Sequence, residues 1–242
     1  MSVKASVRLL ARWSAAGIGI AAGAYASYVG LAWSRYGHAS RPASPEEHDE
    51  LLDRFMPVHE AGGRHHIHVD APAAITLAAA REMDLLQAPV VRAIIRGREL
   101  ILGAAPDDRP RPRGLLAEVQ ALGWGVLAEI PDREVVVGAV TQPWKANVVF
   151  RALPPGEFRA FDEPGYVKIV WTLRADPVGA ARSVFRTETR VVSTDPEART
   201  KFRRYWSFFS PGMDLIRRAS LGPLKREAER RAREIQAREQ PG

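Results

Sequence analysis

The chain has 242 residues, enough for one sizeable core with appendages, and its 46% hydrophobic and 26% charged residues are ordinary for a globular protein. Its net charge of +7 comes mainly from arginine, a bias that genome composition also produces, so charge alone does not assign nucleic acid as a partner. The absence of cysteine excludes disulfides, thiolate catalysis and cysteine-ligated metal.

Residues 14–33, SAAGIGIAAGAYASYVGLAW, carry no charge and lie between Trp13 and Trp33. As a helix rising about 1.5 Å per residue they measure roughly 30 Å, the thickness of a bilayer's hydrocarbon layer, with an aromatic ring at each interface. The sequence therefore predicts a transmembrane anchor within residues 1–40. A cleaved signal peptide is the competing reading, since Lys4, Arg8 and Arg12 precede the apolar run and Ala24-Tyr25-Ala26 fits a cleavage site; continuation of the run to Trp33 favours the anchor. The early cluster of positive charge outnumbers Arg35 and Arg41, which places the bulk of the chain on the non-cytoplasmic side of a bacterial inner membrane. Gly17-Ile18-Gly19 has neither the preceding strand nor the following acid of a dinucleotide loop. No motif calls for a cofactor.

Residues 41–60 read as a linker helix, because SPEEHDELLDRF sets Pro45 in a first turn and Glu47 in the capping-box position behind Ser44. The main domain follows over residues 61–222. RHHIHVDAP alternates as a strand, and AAITLAAAREM and VVRAIIRGRELIL keep helical spacing. AAPDDRPRPRG is a connection too rich in proline for a regular element. WGVLAEI, EVVVGAV, NVVFRAL, EFRAF, YVKIVWTLRA and ARSVFRTETRVV then read as strands of an antiparallel meander, joined by turns such as Pro154-Pro155-Gly156. In YVKIVWTLRA, Val167, Ile169, Trp171 and Leu173 share one face while Lys168, Thr172 and Arg174 share the other, which predicts a sheet with a dry side and a wet side.

Thr194-Asp195-Pro196-Glu197 is a capping box, and Phe202, Tyr205, Trp206 and Phe209 behind it recur at i, i+3, i+4 and i+7. This long helix is the cover for the dry face, with a kink expected at Ser210-Pro211-Gly212. Residues 223–242, interleaved in charge, read as a solvated helical tail.

One strand, two helices, a curved antiparallel sheet and a long closing helix is the order of a helix-grip domain of class α+β. RHHIHVDAP, EIPDREVVVGAVTQPW, EFRAFDEPGYVKIVW, TETRVVSTDPEARTKFRRYW and PGMDLIRRASL resemble an uncharacterised bacterial branch of the START-like superfamily (SRPBCC), which includes polyketide cyclase/dehydrase and lipid-transport members. The resemblance spans about residues 64–221 and implies a cavity between sheet and closing helix for a hydrophobic or lipid-like small molecule. It transfers no catalytic residue.

Candidate cavity-lining residues are Trp124, Trp144, Trp171, Phe185, Thr187, Thr189, Phe202 and Trp206: aromatic area for an apolar guest, with two hydroxyls on the buried face that need partners. The competing reading is a solid core of the same residues, and the resemblance alone tilts the choice to a pocket. Glu188 and Arg190 fall on the opposite strand face and read as a surface charge ladder paired with Lys168 or Arg174; with the phase inverted they become the best catalytic pair. His65, His66 and His68 lack an obvious third ligand, so no metal site is expected. The aromatics of KFRRYWSFF keep helical spacing, which argues against nucleic acid. The sequence thus predicts a carrier or binder of an apolar molecule, with an enzyme of the cyclase or dehydratase kind and a ligand-free scaffold as alternatives.

Overall fold

In the computed structural model, which describes residues 3–38, 44–45, 47–105 and 112–239, helix α1 (Val3–Arg35) leads into a short helix α2 (Glu50–Asp53) and strand β1 (Ala61–Val69). Helices α3 (Ala73–Glu82), α4 (Pro89–Leu102) and α5 (Leu115–Ala121) follow, then strands β2 (Gly125–Ile130), β3 (Glu134–Thr141) and β4 (Phe150–Arg151). A one-and-a-half-turn helix α6 (Pro155–Ala160) precedes the two long strands β5 (Val167–Pro177) and β6 (Ser183–Ser193), and α7 (Pro196–Glu239) closes the chain. Most of the proline-rich connection 104–114 lies outside the described residues.

The strands form a six-stranded sheet in the order β1-β6-β5-β3-β2, with β4 also on β3, and every pairing is antiparallel. β6 is central to the long pairings: Thr187 lies opposite His65 on one side and Leu173 on the other. The expected phase holds. Val135, Val137, Trp171, Leu173 and Phe185 pack with Leu77 and Ala80 of α3, Leu115 of α5 and Leu224 of α7. Strand, two helices, antiparallel sheet and a long C-terminal helix across it make this a helix-grip architecture.

α7 starts one residue later than the capping box implied. Asp195, not Thr194, accepts the amides of Glu197 (2.8 Å) and Ala198 (3.0 Å), and Pro196 takes the first helical position, where a missing N–H costs nothing. Thr194 instead brackets Tyr166, accepting its amide at 3.1 Å and donating to its carbonyl at 2.9 Å. The helix runs unbroken through Pro211 and Pro223 to Glu239. The charged tail is not a solvated appendage: Leu224, Ala228 and Ala232, one turn apart, are buried in the main core against α3 and the sheet.

The expected wet face is covered over its central strands, while His66 and His68 at the β1 edge stay exposed. Val136, Val140 and Val170 on that side are covered by Leu51, Leu52 and Met56, from the stretch expected to be a linker, and by Phe158 of α6. Residues 157–160 of the expected strand EFRAF are helical because Pro155, fixed in φ, suits a first helical turn and lets Phe158 reach the core, fully buried. Arginines of the sheet fasten the cover: Arg174 donates to the His48 carbonyl at 2.7 Å and Arg190 to the Met56 carbonyl at 2.8 Å.

α1 is the predicted long helix, but among the described residues no helix is long and apolar enough to cross a membrane. Alanine and glycine make up most of residues 14–33, with Ile18, Ile20, Val29 and Leu31 the only branched aliphatic residues. Its last turns pack on α7: the Arg203 guanidinium lies 4.2 Å from the Trp33 ring centroid and donates to the Trp33 carbonyl, and the Tyr25 ring meets Phe208 edge-on.

Two predictions follow from the sheet's tight spacing and its covered outer face. A methyl group at Gly62 would overlap the Thr189 carbonyl across the β1–β6 ladder, whereas Gly97 of α4 has open space around it. Gly62→Ala should lower the melting temperature by at least several degrees, and Gly97→Ala should leave it level or raise it slightly. On the outer face Glu134, 4% exposed, accepts from Thr172 Oγ1 at 3.0 Å and shares a hydrogen bond with the Asp49 carboxyl that caps α2. Burial, with Asp49 adding repulsion, pushes Glu134 up to about 8. The native state thus keeps a proton that the unfolded chain loses near pH 4.5, so Glu134 makes stability fall as pH rises from about 4.5 to about 8. Glu134→Gln should remove that slope and stabilise the protein at pH 8, as read by thermal melts at pH 5 and pH 8.

Candidate functional site

The eight residues predicted to line a pocket do not share one. The Trp171 indole donates to Thr187 Oγ1 at 2.6 Å, and that hydroxyl donates in turn to the Thr172 carbonyl at 2.8 Å. The buried threonine therefore has protein partners and needs no guest. Phe185 is in the main core with Trp171, and Trp124 packs at its margin, 5.3 Å from the Phe150 ring. Phe202, 1% exposed, sits among Tyr36, Tyr205 and Trp206 in a separate cluster that Trp144 also touches. Of the eight, Thr189 and Trp206 border the large hollow beside β1.

Glu188 and Arg190 need a correction. They are 6% and 3% exposed, on the covered outer face rather than in solvent. Arg190 Nε meets Glu188 at 2.7 Å and its Nη1 pairs with Asp53, while Arg64 Nε reaches Glu188 at 2.8 Å. Neither Lys168 nor Arg174 is the partner. The cause is the segment 48–56, which desolvates the face and brings its own carboxylate to compensate the second arginine. Each charge is matched, so the cluster is a fastening for the cover, and removing one partner would strand a buried charge.

The hollow, about 600 Å³, lies at the β1 edge of the sheet, between β1, the middle of α7 and the last turns of α1. Three elements build it for separate reasons. Gly62 and Gly63 leave the β1 wall without side chains; at Gly63 an added Cβ would meet only the His65 ring, 3.7 Å away. α7 presents Trp206, Ser210, Met213, Asp214 and Arg217, at i, i+4, i+7, i+8 and i+11, the same stripe as Phe202 continued after its aromatic residues end. α1 closes the outside with Tyr28, Leu31 and Ala32, and its following residue Tyr36 is locked by donating to Glu60 at 2.8 Å.

The polar groups of the hollow divide into satisfied and unsatisfied. Glu60 accepts from Ser193 at 2.7 Å and pairs with Arg199 at 2.9 Å; Asp214 pairs with Arg218 at 2.7 Å and meets His65 Nε2 at 3.3 Å. Desolvation holds His65 below its ordinary pKa, with Asp214 pulling the other way. Arg217 lies 4.1 Å over the Trp171 ring and donates one bond, to Thr189 Oγ1 at 3.0 Å. It forms no ion pair among the described residues, and burial pulls its pKa down to about 10. A second groove of about 640 Å³ runs between α3 and α7, where Arg231 pairs with Glu82 and Glu227, each at 2.8 Å, and Arg230 with Glu227 at 2.7 Å. The hollow beside β1 is the candidate site.

His66 and His68 point to the outer face, their rings 6.3 Å apart, while His65 faces α7. Among the described residues no three His, Asp or Glu are grouped to hold a metal ion. Sequence reasoning missed Ser210, Asp214 and Arg217; the signal was the helical stripe turning from aromatic to polar past Trp206.

No protein-family model matches the chain, and no curated protein matches it. Among solved structures it is similar to the di-domain ARO/CYC BexL, with 17% identity over 70% of this chain and 46% of that one and a TM-score of 0.26. The chain thus spans less than half the length of that protein. It is also similar to the Zhui aromatase/cyclase of a Streptomyces species (17% identity, 71% of this chain, 94% of that one, TM-score 0.24). A third likeness is to norcoclaurine synthase of Thalictrum flavum, solved with dopamine and hydroxybenzaldehyde (11% identity, 76% and 98% coverage, TM-score 0.26). At these scores the superpositions carry no argument, and the fold assignment stands on strand order, register and the position of α7.

Proposed function

We propose that the chain binds a largely apolar small molecule in the hollow between α1, β1 and α7, and carries or presents it without chemical change. The observation that carries this reading is the hollow itself. Its volume of about 600 Å³ falls within the roughly 300–1,000 Å³ of small-molecule sites, and its walls combine Tyr28, Leu31, Trp206 and Met213 with a glycine-bare strand. The hydrophobic core that holds sheet to helix is elsewhere, so the guest is not needed to complete the fold.

His65 beside Asp214 supports a second reading, an enzyme of the cyclase or dehydratase kind. A neutral imidazole oriented by a carboxylate at the wall of a cavity has the form of a general base. Under this reading His65→Gln abolishes turnover of a bound substrate while leaving its affinity within about twofold; under the carrier reading no turnover is there to lose.

Attachment to a bacterial inner membrane, with the domain on the non-cytoplasmic side, belongs to the same proposal and supplies the ligand's source. Lys4, Arg8 and Arg12 ahead of an uncharged stretch support it. The full chain should float with vesicles containing anionic lipid in a density gradient; a chain that stays at the bottom contradicts the attachment.

The binding claim is tested with an apolar fluorescent probe and with organic extraction of the purified full chain followed by mass spectrometry. The expected result is one probe per chain, displaced by the extracted compound. Gly63→Phe, which puts a ring into the hollow, should weaken the probe at least tenfold and leave the melting temperature within a few degrees. Absence of both probe binding and extractable compound would overturn the ligand reading.

A further inference from the structure

Arginine carries five N–H donors, and at Arg217 one of them is used, on Thr189, while the flat face of the guanidinium rests on Trp171. The remaining donors border the hollow with no carboxylate in an ion pair among the described residues. Stacking on an indole stabilises the cation but accepts none of its in-plane hydrogens.

Ser210 adds a second, independent observation. Three of the four serine and threonine hydroxyls of α7 are spent on their own helix: Thr200 donates to the Pro196 carbonyl at 3.0 Å, Ser207 to that of Arg203 at 2.8 Å, and Ser220 to that of Arg217 at 2.7 Å. Ser210, 5% exposed, has a buried hydroxyl with no partner, and it borders the same hollow two turns before Arg217. A buried hydroxyl with no partner and a half-buried guanidinium with one hydrogen bond, two turns apart on one helix face, give this end of the hollow a polar pole.

The sign of that pole is positive. The two carboxylates at the rim, Glu60 and Asp214, are each neutralised by an outside arginine, Arg199 and Arg218. Arg35 and Arg217 are the arginines of the wall that form no ion pair among the described residues. Guanidinium meets carboxylate and phosphate oxygens in pairs, and in a desolvated site such bonds are stronger than at a surface.

We propose that the ligand of this hollow is an amphiphile with an anionic head, a carboxylate or a phosphate monoester, held by Arg217 and Ser210 while its tail lies along Trp206 and α1. This rests on the ligand-binding reading above and names the chemistry of the guest.

The test is calorimetric titration of the full chain at pH 7.5 with decanoate, decyl phosphate and decanol, which share a tail and differ in the head. Either anion should bind at least tenfold more tightly than the alcohol; preference for decanoate indicates a free fatty acid as the natural source, and preference for decyl phosphate a lipid-type head. Arg217→Gln should bring the anions down to the affinity of decanol, with decanol itself changed less than about twofold. Ser210→Ala, which removes a hydroxyl that bonds nothing in the fold, should keep the melting temperature and weaken the preferred anion about three- to tenfold. Equal binding of all three compounds to the unaltered chain overturns the anionic head and leaves the hollow as an apolar site. Failure of all three to bind overturns the ligand reading as well. An anion preference unmoved by either substitution overturns the assignment to these residues.

Discussion

A single helix has to serve a sheet shorter than itself, and the rest of the molecule follows from that constraint. α7 has 44 residues, about 66 Å at 1.5 Å per residue, whereas the longest strands have 11 residues and span roughly 36 Å. Asp195 fixes where it begins, so its parts fall on different neighbours. The first turns place Phe202 with Tyr36 and Val191, and the last turns bury Leu224, Ala228 and Ala232 in the main core. The stretch between them, from Trp206 to Arg217, passes the glycine-bare start of β1, where nothing from the sheet can fill the gap. α1 closes this gap from outside without plugging it.

The outer face shows the same economy with opposite chemistry. Six strands leave alternate residues on a second side, and a short stretch around α2 together with α6 covers its middle, leaving His66 and His68 at the β1 edge exposed. The charges of that side are therefore buried in matched sets: Glu188 between Arg64 and Arg190, and Asp176 between Arg174 (2.7 Å) and Arg186 (3.0 Å). Glu134 is the exception, a carboxyl kept protonated by burial beside Asp49, which makes the seam that holds α2 sensitive to alkali. Acid–base chemistry is thus present on both faces, but only the His65 and Asp214 side adjoins a space that a guest can enter.

How much of this was legible depended on whether a signal was local. Strand phase was readable because alternation in β5 and β6 is enforced by burial on the α7 side, and Phe185 and Val191 fell where that rule puts them. The fate of the opposite phase was not: charged residues read as solvent-facing because the cover comes from residues 48–56, over 130 positions from Glu188 and Arg190. The tail misled in the same way, its buried Leu224, Ala228 and Ala232 diluted among arginines and glutamates. The aromatic candidates were right in type for a pocket, yet five of the six, all but Trp206, serve packing alone, since large rings fill a core as readily as they line a cavity. What marks the site is negative information, an absent side chain at Gly63, an unused hydroxyl at Ser210 and an unpaired guanidinium at Arg217, and none of these can be seen before the partners are in place.

The central claim is that the space between α1, β1 and α7 is a binding site and not a packing defect. Crystals of the full chain grown with a decanoate brominated at its tail end test this most directly, because the anomalous signal of bromine locates the tail without reference to the protein phases. The account predicts one peak per chain beside Trp206 and Leu31, with the carboxylate at the Arg217 guanidinium. A peak in the groove between α3 and α7, or no peak at all with the hollow closed by moved side chains, would contradict it.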